Sequence, residues 1–94
     1  MTIRPNARIT GAFTRDSQGR VVVEARGPMF VERALHPMAK VGNAPVVGLL
    51  ASDGVLRGVV LGSPNRGDEL VVRYVPEPEI RTGIRFNVDP LPVA

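Results

Sequence analysis

The segment formed by residues 45–62 is the most apolar part of the chain and constrains the fold more than any other stretch. It reads PVVGLLASDGVLRGVVLG, with Ser52-Asp53-Gly54 as a typical chain reversal at its middle. The pattern predicts a β-hairpin with arms at residues 46–51 and 55–61. Both arms are nearly continuous apolar runs, which predicts burial on both faces. Because a chain of 94 residues has little other material to cover two faces, a partner subunit is expected to cover part of the hairpin.

Four further segments alternate between inward and outward residues, as half-buried strands do. Residues 8–14 and 20–26 flank the turn formed by residues 16–19, and this arrangement predicts a second hairpin. Residues 69–75 and 80–87 alternate in the same way. Together with the central hairpin these segments make six predicted strands. They favour a mainly β fold, either a small antiparallel barrel or a sandwich.

Residues 28–36 interrupt the alternation, because apolar residues recur there at a spacing close to that of a helix. Phe30 lines up with Ala34, and Val31 lines up with Leu35. The spacing predicts one short helix that closes an open end of the sheet, and the alternative is an extended strand with a bulge. A helix of this length needs packing partners, since it is unstable alone.

The two ends of the chain differ from its centre. Residues 1–7 and 88–94 contain prolines and no periodic pattern, which predicts extended arms on a single domain spanning residues 1–94. Residues 38–44 are predicted to form a loop. The sequence shows no secretory signal and no apolar stretch long enough to span a bilayer, so we expect a soluble protein of the cytoplasm or of a virion.

The residues that usually carry catalysis or bind metals are scarce. The chain has no cysteine, which excludes disulfides and thiolate metal sites. His36 is the only histidine, and its position before a proline favours a helix-terminal role. Glu77 and Glu79 alternate with prolines, as in an exposed connector. We therefore expect no enzyme activity, no cofactor and no metal.

The net charge of +3 raises the question of a polyanion partner. Arg73, Arg81 and Arg85 are predicted on the outward faces of neighbouring strands, where three guanidinium groups would suit phosphate contacts. The few aromatic residues all fall on predicted core faces, so base stacking is not expected. A small basic β-barrel that binds nucleic acid is therefore the alternative functional hypothesis.

The main hypothesis is a non-enzymatic structural subunit that forms a homo-oligomer or a larger assembly, such as a small virion component of the capsid-decoration or tail type. No membrane partner is expected. The candidate interface residues lie on the central hairpin and the two arms: Val47, Leu49, Val59, Leu61, Ile3, Leu91 and Val93. If this face is an interface, aspartate at position 47 or 59 should prevent assembly while the monomer still folds. If it is core, the monomer should unfold.

Overall fold

The computed structural model describes residues 9–31, 37–75 and 77–88, which form an antiparallel sheet curled into a nearly closed barrel. The mainly β prediction is confirmed. The strands are β1 (Thr10–Arg15), β2 (Val21–Arg26), β3 (Pro37–Val41), β4 (Ala44–Ser52), β5 (Val55–Val60), β6 (Glu69–Tyr74) and β7 (Ile80–Arg85). Around the barrel they follow the order β1-β2-β5-β4-β3-β6-β7. All six predicted strands are present, and β3 is an addition.

The predicted inward faces form the core of the barrel. Along each strand every second side chain points into the barrel, where its apolar surface is removed from water. The buried side chains that share this inward position include Phe13, Val23, Ala25, Leu56, Leu70, Val72, Tyr74 and Ile84. Thr82 is a buried polar residue on the same inward side, and its hydroxyl donates to the Leu70 carbonyl at 2.6 Å. Its buried oxygen therefore has a partner, as a core position requires.

Side chains close the seam between β1 and β7, the two end strands of the sheet. The rings of Phe13 and Phe86 meet edge to face with their centroids 5.4 Å apart. Gly11 also approaches β7 closely, because a Cβ atom at that position would lie 2.8 Å from Cδ1 of Ile84. The seam is therefore filled with packed apolar groups.

Two predicted turns are confirmed by their backbone geometry. Asp53 and Gly54 have φ angles of 54° and 79°, and Ser52 pairs with Val55 across them. A two-residue loop with both φ angles positive matches the twist of the strands it joins, which explains the Asp-Gly pair. The other hairpin turn is held by Asp16, whose carboxylate accepts the backbone N–H groups of residues 18 and 20 at 2.9 Å each.

The predicted helix over residues 28–36 is wrong in the part that the structure describes. Residues 28 and 29 form a turn, residues 30 and 31 belong to no helix or strand, and Val31 is exposed. Residues 32–36, including His36, lie outside the described residues. The helical spacing misled because Phe30 is buried for another reason, the docking of its backbone against the central hairpin.

That docking joins the end of β2 to the turn between β4 and β5. The Gly27 N–H donates to the Gly54 carbonyl at 2.9 Å, and the Gly54 N–H donates to the Phe30 carbonyl at 2.7 Å. These bonds hold Met29 and Phe30 against the open end of the barrel, where both side chains are buried. The end of the barrel is thus filled without a helix at residues 28–31.

The predicted loop at residues 38–44 is also wrong. Residues 38–41 belong to β3, residues 42 and 43 form a tight turn, and β4 begins at Ala44. Ala39 and Val41 face the core, whereas Lys40 faces outward. The strand was missed because it is only five residues long and begins at a proline, a residue depleted in strands.

Candidate interaction surfaces

One outer face of the barrel carries a row of aliphatic side chains. Val22 pairs with Val59, and Val59 pairs with Val47, so three valines lie side by side across β2, β5 and β4. Leu61 continues the outward side of β5 and is 47% exposed. Leu50 lies on the outward side of β4 and is 74% exposed. We call Val22, Val47, Leu50, Val59 and Leu61 the outer apolar patch.

A bulge in β4 decides which leucine reaches this patch. The register between β4 and β5 shifts between Val47 and Leu50, and Gly48 within the shift has a φ of 63°. The extra residue turns Leu49 inward, where it packs against the core, and turns Leu50 outward. Leu49 therefore does not lie on the outer face where it was predicted, and Leu50 was missed. Gly48 was the available signal, since glycine inside a strand often marks a bulge.

The other predicted interface residues divide into two groups. Val47, Val59 and Leu61 lie on the outer apolar patch. The residues predicted in the arms lie outside the described residues, and these are Ile3, Leu91 and Val93.

The prediction that both faces of the central hairpin are buried holds only for the inner face. Among the described residues nothing covers Val47 and Leu50, which are 41% and 74% exposed. The inner side is so tight that a Cβ atom on Gly58 would lie 2.6 Å from Cγ1 of Val46. The hairpin therefore has one packed face and one apolar face open to contact.

An ion-pair cluster lies beside the outer apolar patch. Glu24 accepts hydrogen bonds from Arg57 at 2.6 Å and from Arg26 at 2.8 Å. Arg57 sits opposite Leu50 in the β4–β5 pairing, so the cluster touches the patch directly. The hydrogen bonds from Arg57 and Arg26 hold the pKa of the Glu24 carboxyl below its ordinary value. The border of the patch is thus charged but internally paired.

A second outer face carries the three predicted polyanion contacts. Arg73 on β6 and Arg81 and Arg85 on β7 are all exposed and face outward. Each guanidinium donates a hydrogen bond to an oxygen of the chain itself: Arg73 to the Glu77 carbonyl (3.1 Å), Arg81 to the Glu69 carboxylate (3.2 Å) and Arg85 to the Gly67 carbonyl (2.9 Å). We call Arg73, Arg81 and Arg85 the arginine face. Its positive charge is reduced by acidic side chains within the same surface.

The aromatic side chains are not part of this face. The four aromatic residues are all buried, as predicted: Phe13, Phe30, Tyr74 and Phe86. A surface without aromatic groups offers no stacking platform for bases. The arginine face therefore offers positive charge and hydrogen-bond donors, but no stacking surface for bases.

Next to the arginine face, a groove of about 400 Å³ runs along the outer side of β3. Its apolar lining includes Met38, Pro45, Val71 and Val75, and its charged lining includes Lys40, Arg73 and Glu79. Met38 is 63% exposed. Lys40 and Glu79 have no ion-pair partner in the part of the chain that the structure describes. We call this the β3 groove.

Within the described ranges, no three potential ligands from histidine, cysteine, aspartate and glutamate come together as a metal site. Glu77 and Glu79 are both exposed on the connector between β6 and β7. No helix among the described residues is long and apolar enough to cross a membrane.

Comparison with known proteins gives no relationship from which a function could be transferred. No protein-family model, no curated protein and no solved structure matches this chain.

Proposed function

We propose that this chain is a structural subunit that associates with further copies of itself through the outer apolar patch. The observation that carries the proposal is the row of Val22, Val59 and Val47 with the exposed Leu50 beside it. Contiguous exposed apolar surface on a small domain is typical of an interaction site. The virion role expected from the sequence is one setting for such a subunit.

Burial of this patch would provide a substantial driving force. Complete burial of one valine or leucine side chain is worth about 1.5–3 kcal/mol. Leu50 is 74% exposed, and Val47 and Leu61 are each exposed by more than two fifths. A symmetric dimer would bury each of these side chains in both subunits, which doubles the buried apolar area. The gain is offset in part by the loss of translational and rotational freedom.

The ion pairs beside the patch support the same proposal. Glu24 lies at the border of the patch, and its carboxylate is already paired with Arg57 and Arg26. A polar rim around an apolar centre is the usual anatomy of a protein interface. Such a rim adds orientation more than affinity.

Nucleic-acid binding by the arginine face is less well supported. Arg81 lies beside Glu69, and Arg73 is bonded to the connector that contains Glu77. These contacts compete with phosphate, and Glu69, Glu77 and Glu79 lower the local positive potential. Binding through this face would weaken steeply with added salt. Absence of salt-dependent binding to single- or double-stranded DNA would remove this alternative.

The test of the proposal is Leu50→Asp with Val31→Asp as its matched control. Both positions are exposed and apolar, but Val31 is not one of the five residues of the outer apolar patch. Sedimentation velocity should show wild type and Val31→Asp as oligomers and Leu50→Asp as a monomer with an unchanged melting temperature. Equal association of all three proteins, or a wild type that stays monomeric at high concentration, would contradict the proposal.

A further inference from the structure

The two ends of the barrel are closed in different ways. Met29 and Phe30 fill the end at which Gly27 is bonded to Gly54. At the opposite end, where β2 begins and β5 ends, the structure contains a cavity of about 470 Å³. We call it the barrel-end cavity, and it is lined by Arg15, Val21, residues 62–66, Phe86 and Val88. Cavities of this size are typical of sites that hold a small molecule.

One part of the lining is apolar. Val21 at the start of β2 and Val88 after β7 are half-buried. Phe86 is buried, with its ring packed edge to face on Phe13. These side chains favour a ligand with an apolar body, because that body leaves water when it binds.

The charged part of the lining consists of two guanidinium groups. Arg15 is the last residue of β1 and pairs with Val21, and Arg66 is exposed in the turn before β6. No carboxylate stands among the described residues that line the cavity. Arg15 also donates to the Gly19 carbonyl at 2.9 Å. A guanidinium group has five N–H donors in a planar fork that matches a carboxylate, so it can bind one without giving up such a contact.

Two carboxylates near these arginines in the sequence are engaged elsewhere. Asp16 pairs with Arg20 at 2.8 Å. Asp68 accepts the Asn65 N–H at 2.8 Å and lines a separate cavity on the other side of the loop. The lining of the barrel-end cavity therefore has a local excess of positive charge.

The loop that carries Arg66 is held at both ends. At its start, the Leu61 N–H donates to the Pro45 carbonyl at 2.9 Å. At its end, the Gly67 N–H donates to the Phe86 carbonyl at 2.9 Å, and the Phe86 N–H donates to the Asp68 carbonyl at 2.8 Å. A loop fixed in this way needs little reordering when a ligand binds, which lowers the entropic cost of binding.

We propose that the barrel-end cavity binds a small organic acid. Its carboxylate lies between Arg15 and Arg66, and its apolar body packs against Val21, Phe86 and Val88. A strongly hydrated inorganic anion gains nothing from the apolar lining, whereas an organic carboxylate uses both parts of the cavity. None of the five residues of the outer apolar patch lines this cavity, so the site is independent of the proposed function.

The test is a titration of the isotope-labelled full chain with phenylbutyrate, followed through the backbone amide signals by NMR. The neutral amide of the same acid is the matched probe, since it keeps the apolar body and lacks the charge. Inorganic phosphate has the charge and lacks the apolar body. We expect saturable shifts at Ser63, Asn65 and Arg66 with a dissociation constant of about 1 mM, as is usual for a ligand of this size. The amide and phosphate should each bind at least about tenfold more weakly.

Two substitutions test the role of the guanidinium groups. Arg66→Gln should weaken phenylbutyrate binding about tenfold, because it removes a charge-assisted hydrogen bond. Arg73→Gln is the matched control, since it removes the same charge from the arginine face and should leave binding unchanged. Both positions are exposed, so both proteins should fold, and circular dichroism with thermal melting checks this.

Several results would overturn the inference. They are the absence of saturable shifts, equal binding of the acid and its amide, and equal weakening by Arg66→Gln and Arg73→Gln. A response confined to the β3 groove or to the outer apolar patch would do the same. Asp89 follows Val88 in the sequence and lies outside the described residues. Binding that appears only in Asp89→Asn would also overturn the inference, because the arginines would then serve a carboxylate of the chain itself.

Discussion

The two outer faces of this barrel differ in whether their side chains already have interaction partners within the chain. On the arginine face, Arg73, Arg81 and Arg85 each donate a hydrogen bond to an oxygen of the same chain. On the outer apolar patch, Leu50 and Val47 have no cover among the described residues. Charged groups in water can satisfy each other along the surface, whereas aliphatic groups gain only by leaving water.

The difference shows that a net positive charge does not by itself identify the surface that lacks interaction partners within the chain. The charge of +3 comes largely from guanidinium groups, and those of the arginine face already form hydrogen bonds or ion pairs within the chain. The side chains of the outer apolar patch have no comparable contacts among the described residues. We therefore propose that an assembly contact would form on the outer apolar patch and not on the arginine face.

The largest expected difference between the two faces is in self-association, when glutamine is substituted on each of them. Val47→Gln should weaken self-association about 10- to 100-fold, because a polar amide would replace two methyl groups that the proposed contact buries. Arg85→Gln should leave association unchanged. Sedimentation equilibrium over a range of concentrations measures both constants. Equal weakening by the two variants would show that the assembly does not distinguish the faces.

The core layer beneath the outer apolar patch should be more sensitive to added side-chain volume than the patch itself. Gly58→Ala places a methyl group against Val46 and Leu49 on the inner side of the hairpin. We expect a loss of about 1–3 kcal/mol in the free energy of unfolding, since packed cores tolerate overpacking poorly. Urea denaturation measures it. An unchanged midpoint would mean that the inner face of the hairpin is looser than described.

The two bulge glycines provide a paired comparison of the faces. Gly48 beside the patch and Gly83 beside the arginine face have φ angles of 63° and 75°, and both would have open space around a Cβ. Alanine at either site should cost about 1–2 kcal/mol of stability through backbone strain. Only Gly48→Ala should also weaken self-association, because it disturbs the position of Leu50. The same loss of association in Gly83→Ala would contradict the assignment.

The smallest effect is expected at the ion-pair border, and it depends on pH. Folding lowers the pKa of Glu24 below its ordinary value of 4.5, so the pairing stabilises the fold above that value and is lost as the pH falls through the lowered pKa. Glu24→Gln should melt slightly below wild type at pH 7. The two melting temperatures should converge in acid. A difference in melting temperature that persists at low pH would show that Glu24 stabilises the fold through packing and not through its charge.

The sequence predicts much of this fold because alternation reports directly on the inside and outside of a sheet. Val21, Val23 and Ala25 were assigned inward from spacing alone, and all three pack in the core. The Asp-Gly pair at the central turn was equally informative, since few residues accept two successive positive φ angles.

The errors arise where local spacing competes with tertiary contacts. Phe30 looked like part of a helical face, but backbone bonds between its strand end and Gly54 bury it. Leu49 looked like an outward residue, but the bulge at Gly48 reverses the alternation after Val47. Sequence patterns do not contain the register shift, because it depends on which strand lies opposite.

The central claim is that the outer apolar patch is buried between copies. Because the chain has no cysteine, Leu50→Cys introduces a single thiol within the patch, and Arg85→Cys introduces one on the arginine face. The rate of reaction with a small thiol reagent is then measured from dilute to concentrated protein. We expect the rate at Leu50→Cys to fall at least about tenfold as oligomers form, while the rate at Arg85→Cys stays constant. A Leu50→Cys rate that stays constant while wild type assembles would contradict the claim.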